Sequence, residues 1–95
     1  MRYDFAPIVV GVDVAWKGDD ESVIVVRQGG CILEKLVYRD LDPAQLGQRV
    51  IKVIQAYDPA GVFIDEVGIG AGTLAYCRML DYTVVGVNAG KIAPD

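Results

Sequence analysis

Apolar residues in this chain gather into short runs, separated by clusters of Gly, Asp and Pro. The first run, Ile8 to Val14, is almost continuously apolar and β-branched, a pattern that predicts a strand buried on both faces. Met1 to Pro7 leads into it. Ser22 to Arg27 is a second strand, and Gln28-Gly29-Gly30 a tight turn. Cys31 to Tyr38 follows as a third, with Ile32, Leu33, Leu36 and Val37 as its apolar content. Two short strands about a Gly-Gly turn predict a β-hairpin, and the three together an antiparallel meander.

The periodicity then changes from two to nearly four. Asp42-Pro43 opens a helix, Asp42 as the cap and Pro43 in the first helical position. Leu46, Val50, Val53, Ile54 and Tyr57 form its apolar stripe, with Gln48 and Lys52 on the other face. Asp58-Pro59-Ala60-Gly61 stops it. Val62 to Asp65 predicts a fourth strand, the glycine-rich turn Glu66 to Gly72 a passage into a second helix over Thr73 to Leu80, and Tyr82 to Val87 a fifth strand. Asn88 to Asp95 carries no pattern.

The predicted order is β-β-β-α-β-α-β in one domain spanning residues 1–95. Helical crossovers join parallel strands with right-handed geometry, so the fourth strand is expected parallel beside the first. The helices are expected to cover the faces of a mixed α/β sheet. No internal repeat or low-complexity tract interrupts the chain.

Composition narrows the chemistry. At 95 residues with 53% hydrophobic content, the chain suits a single globular domain with a modest core. No apolar run approaches the roughly 20 residues that span a bilayer, and Asp4 interrupts the start before any signal-like region. The expectation is a cytoplasmic protein without a membrane partner. Cys31 and Cys77 are too far apart in sequence for zinc spacing and are expected as reduced thiols. The net charge of −4 argues against a basic nucleic-acid-binding face on the isolated domain. With no histidine, metal ligation falls to oxygen donors and the two thiols.

Asp13 is therefore conspicuous. A lone carboxylate inside a buried strand costs about 3 kcal/mol or more unless something pairs with it. It either caps the turn Trp16-Lys17-Gly18-Asp19-Asp20 or holds a cation. Asp65 ends the fourth strand in the same manner. If the two strands are parallel neighbours, both acids emerge at one edge, about 4.8 Å apart. Two such carboxylates repel unless a cation neutralises them, and Mg²⁺ or Mn²⁺ suits hard oxygen donors. A pair of these ions can activate water and stabilise a leaving oxygen in phosphodiester hydrolysis.

Glu66 competes with Asp65, but alternation along the strand places it on the opposite face. Asp19 and Asp20 fit a solvated turn, with Asp20 also able to approach a metal from the loop. Gly68, Gly70 and Gly72 before a helix resemble a phosphate cradle, although the Gly-Lys-Ser/Thr ending of a P-loop is missing. Close packing and a sharp turn beside the first strand are the plain alternative. The reading between the two, close approach of the backbone to a nucleic-acid phosphate or to the metal site, is the one expected. Lys17, Arg78 and Lys91 are candidate phosphate contacts or solvated surface charges. Trp16 is a candidate base-stacking residue or a loop anchor.

Four segments together resemble a family: Gly11 to Ala15, Gly18 to Val26, Phe63 to Gly72 and Val85 to Gly90. They are similar, in order and spacing, to the nuclease domain of phage terminase large subunits, from about Ile8 to Gly90. The resemblance implies a ribonuclease-H-like fold and an endonuclease that cuts double-stranded viral DNA during packaging with Mg²⁺ or Mn²⁺. Asp13 and Asp65 would match its first two acidic motifs. The third acid of the family lies further along, on or near a C-terminal helix. The resemblance therefore implies a truncated domain without that acid, Asp95 being no more than a candidate substitute. The implied setting is a bacterial host cell, with phage or prophage origin. The implied partners are an ATPase domain, a small terminase subunit and a portal. Two alternatives stand beside it: a catalytically incomplete fragment acting in binding or assembly, and the ribonuclease-H-like ATPase half of a sugar-kinase or actin-type protein.

Overall fold

A computed structural model describes residues 6–14 and 21–87. The strands are β1 (Ile8–Asp13), β2 (Glu21–Gln28), β3 (Cys31–Arg39), β4 (Gly61–Asp65) and β5 (Val85–Val87); the helices are α1 (Pro43–Tyr57) and α2 (Gly70–Met79). They build one five-stranded mixed α/β sheet in the order β3-β2-β1-β4-β5. β1, β2 and β3 form the antiparallel meander, while β4 runs parallel to β1 and β5 parallel to β4.

Local chemistry accounts for the frame. Asp42 Oδ1 accepts the Gln45 backbone N–H at 2.7 Å, and Gln45 Oε1 accepts the Asp42 N–H at 2.9 Å, closing a capping box at α1. At the other end Asp58 takes a left-handed φ of 48°, and its N–H bonds Ile54 O at 2.8 Å. A bulge at Val26/Arg27 breaks the β2–β3 register, pairing Arg27 with Ile32 and Val26 with Glu34. Glu34 Oε1 then accepts the Tyr57 hydroxyl at 2.8 Å, tying β3 to the end of α1.

The core alternates cleanly. Val10 and Val12 from β1, Ile24 and Val26 from β2, and Val62 and Ile64 from β4 meet Leu46, Val50 and Val53 of α1 and Leu74 and Cys77 of α2. These strand positions are the even ones, so both helices lie on one face of the sheet. That corrects the expectation of helices on both faces and of a first strand buried on both. The reason is topological: β3–α1–β4 and β4–α2–β5 both advance toward β5. Right-handed crossovers that advance in one direction deposit their helices on one side. The helices also pack on each other, with Gly47 facing the Tyr76 ring and Gly72 facing Pro43 at tight distance.

Two boundaries differ by three residues from the sequence pattern, the others by one at most. α2 begins at Gly70, within the glycine-rich stretch. β5 begins at Val85, because Tyr82 folds back on α2 through its N–H to Cys77 O at 3.0 Å and receives Gln55 Nε2 on its hydroxyl. Among the described residues no helix is long and apolar enough to cross a membrane.

Candidate functional site

The side of the sheet opposite the helices carries the odd-numbered residues of β1, β2, β4 and β5, with Lys35, Val37 and, past the bulge, Ile32 of β3, and the described residues leave it open. Its central feature is a shallow depression of about 610 Å³. Gly11, Val25 and Phe63 lie across the middle, with Asp13 and Asp65 toward one end and Arg27 and Lys35 toward the other side.

Asp13 and Asp65 are the last residues of β1 and β4. These strands are parallel neighbours in a register that pairs Gly11 with Phe63 and Val12 with Ile64, so one further step sets Asp13 beside Asp65. Strand spacing puts their backbones about 4.8 Å apart. Asp13 is exposed and Asp65 half-buried. Asp65 Oδ1 accepts the Val67 N–H at 3.1 Å, which anchors its carboxylate to the turn that follows.

That turn explains the glycines. Gly68 has a φ of 56°, where a side chain is strained. A Cβ on Gly70 would overlap the Asp65 carbonyl oxygen, and one on Gly72 would lie 2.9 Å from Pro43 Cβ. The Gly70 N–H is already bonded to Val67 O at 2.9 Å. Each glycine thus has a packing or conformational role in bringing α2 against β4 and α1. Glu66 points elsewhere. Its N–H donates to Val87 O at 2.8 Å and its carboxylate lies against Gly86, on the helix-covered side of the sheet.

Arg78 is engaged in the scaffold through Nη2, which donates to Val84 O at 3.1 Å. Trp16, Lys17, Asp19, Asp20, Lys91 and Asp95 lie outside the described residues. Among the described residues no three Asp, Glu or Cys side chains come together as a metal cluster.

Arg27, Lys35 and Phe63 on this face were not singled out by sequence reasoning. The signal was present in the alternation of Val23, Val25 and Arg27, but only a known pairing partner tells which side each residue takes. Gly11 is a second unanticipated feature. A Cβ there would meet nothing within 4 Å, so no contact within the described chain requires a glycine at mid-strand. Glycine at such a position often marks close approach of another group.

No family model matches the chain, and no curated protein matches it in sequence.

Proposed function

We propose that this chain is a ribonuclease-H-like nuclease domain of the phage terminase large-subunit type, hydrolysing phosphodiester bonds of double-stranded DNA with Mg²⁺ or Mn²⁺. The observation that carries the reading is the placement of Asp13 and Asp65 side by side at the ends of adjacent parallel strands, on one open face. The donor set suits such an ion: two hard carboxylates, one exposed and one fixed by its turn. When bound, the ion supplies charge neutralisation and an activated water. Asp13 and Asp65 would hold it, and the Val67 N–H keeps the Asp65 carboxylate aimed. In this reading the domain acts on viral DNA in a bacterial host, alongside an ATPase domain, a small subunit and a portal. Asp20 and Lys17 are its candidate additional metal and phosphate contacts.

The test is Mn²⁺-dependent cleavage of supercoiled plasmid by the chain and by Asp13→Ala and Asp65→Asn. Cleavage that disappears in both variants supports the nuclease. A second reading rests on the carboxylate count, since only Asp13 and Asp65 meet on this face among the described residues. A folded remnant used in binding or assembly would bind Mn²⁺ through both aspartates and leave the plasmid intact. A chain that neither cuts nor binds Mn²⁺ overturns both.

A further inference from the structure

The open face bears four charged side chains in the depression, and their arrangement is complementary to itself. With Gly11 as origin, Asp13 lies two residues along β1, about 7 Å up. Asp65 lies one strand toward β5 and about 7 Å up; Arg27 lies one strand toward β3 and about 7 Å down. Lys35 lies two strands toward β3, about 10 Å away and level with Gly11.

A two-fold axis parallel to the sheet, passing over Gly11 at about 45° to the strands, carries Asp13 to within about 3 Å laterally of Lys35. The same operation carries Asp65 to within about 3 Å of Arg27. Both acids thereby meet both bases of a second copy. An axis at that angle crosses the two sheets at about 90°, one of the two preferred ways for sheets to pack. The separation of about 10 Å between packed sheets is a span that an Asp facing a Lys or Arg can bridge.

The apolar positions follow. Phe63, 40% exposed, is one strand from Gly11 on the β5 side. The operation lays it over β1 of the other copy between Gly11 and Val9. Gly11 itself lies on the axis and faces the partner's Gly11, so the glycine that nothing within one chain explains lets the two sheets approach there without a side chain between them. Five strands and three outward rows cover roughly 24 by 20 Å, and two such faces crossed at about 90° overlap over about 20 by 20 Å, or about 800 Å² counting both copies. That area suits a weak, reversible association, below the roughly 1,000 Å² of a stable interface.

From this geometry we propose that the chain forms a symmetric dimer through its open sheet face, with Asp13 paired to the partner's Lys35 and Asp65 to the partner's Arg27. The inference stands independently of metal binding. If both hold, dimerisation and occupation of the aspartates exclude each other.

Sedimentation equilibrium of the full chain, from micromolar to near-millimolar concentration and without divalent ions, tests it. The expected result is a monomer–dimer equilibrium. Asp13→Lys alone and Lys35→Asp alone each place like charges together and weaken the dimer by at least about tenfold. Combining the two in one chain reverses the pair and restores the dimer to within about threefold of the original. Gly11→Leu puts a side chain from each copy on the axis, holds the sheets apart and weakens the dimer without changing any charge. Circular dichroism confirms that each variant is folded. A monomer throughout the range overturns the proposal and leaves the face to a different partner. So does a dimer indifferent to both Lys35→Asp and Gly11→Leu, or a charge reversal that fails to restore association.

Discussion

Gly70 and Asp65 are in backbone contact: the first residue of α2 sits so close to the carbonyl at the end of β4 that no side chain fits between them. The contact sets how α2 meets the strand and, through the intervening turn, where the Asp65 carboxylate is held. Gly70→Ala must move backbone against backbone, because no flexible side chain is available to yield. A loss of about 1–3 kcal/mol in urea unfolding is expected, as for other overpacked sites. An unchanged midpoint would show that α2 shifts without cost.

Gly11→Ala has the opposite expectation. The added methyl meets nothing, and alanine removes the conformational penalty of a glycine within a strand. At concentrations where the chain is monomeric, stability should rise by about 0.5 kcal/mol. A fall would reveal a contact on the open face beyond those described.

The capping box offers an independent test of α1. Asp42→Ala leaves the Gln45 N–H without its acceptor and should destabilise the fold by about 1 kcal/mol. Asp42→Asn, which keeps an acceptor oxygen, should recover most of that loss in the same unfolding measurement.

Tyr57 introduces a dependence on alkaline pH. Its hydrogen bond to Glu34, followed by burial and the Glu34 charge, raises its pKa above the ordinary tyrosine value. The folded state therefore favours the protonated phenol. The stabilisation is complete below the unfolded pKa near 10 and is lost as pH climbs through the higher folded value. Tyr57→Phe should cost on the order of 1 kcal/mol at neutral pH. Above pH 10 the difference between the two proteins should narrow; an equal gap at both pH values would remove the bond from the account.

The two thiols should react at very different rates. Cys77 is fully buried, its Sγ lies 3.8 Å from Gly47 O, and burial pushes its pKa up. Cys31 is half-buried at the start of β3. A thiol reagent at neutral pH should modify Cys31 first, and Cys77 only at the rate at which the helix pair opens. Equal rates would mean that α1 and α2 separate readily.

Much of this organisation is local and was legible in the residues themselves. The Gly29-Gly30 turn, the Asp42-Pro43 helix start and the Asp58 stop act through backbone preference and hydrogen bonds a few positions away, so the element order follows from sequence. The adjacency of Asp13 and Asp65 was legible too: the crossover sets β4 parallel to β3, hence to β1, and β1 offers a free edge of the meander for it to join.

What the chain alone left open depends on contacts distant in sequence. β-Branched runs such as Ile8 to Val14 look alike whether one face of the strand or both are covered. Only the common direction of the two crossovers put α1 and α2 together and left Val25, Phe63 and Gly11 facing outward. The glycines from Gly68 to Gly72 were likewise ambiguous until α2 was seen against Asp65 and Pro43. Sequence determined which residues form strands, helices and turns, since those choices are made by near neighbours. Tertiary structure decided which side of the sheet is buried and which charges share the exposed side, since handed connections and packing over the whole sheet make that choice.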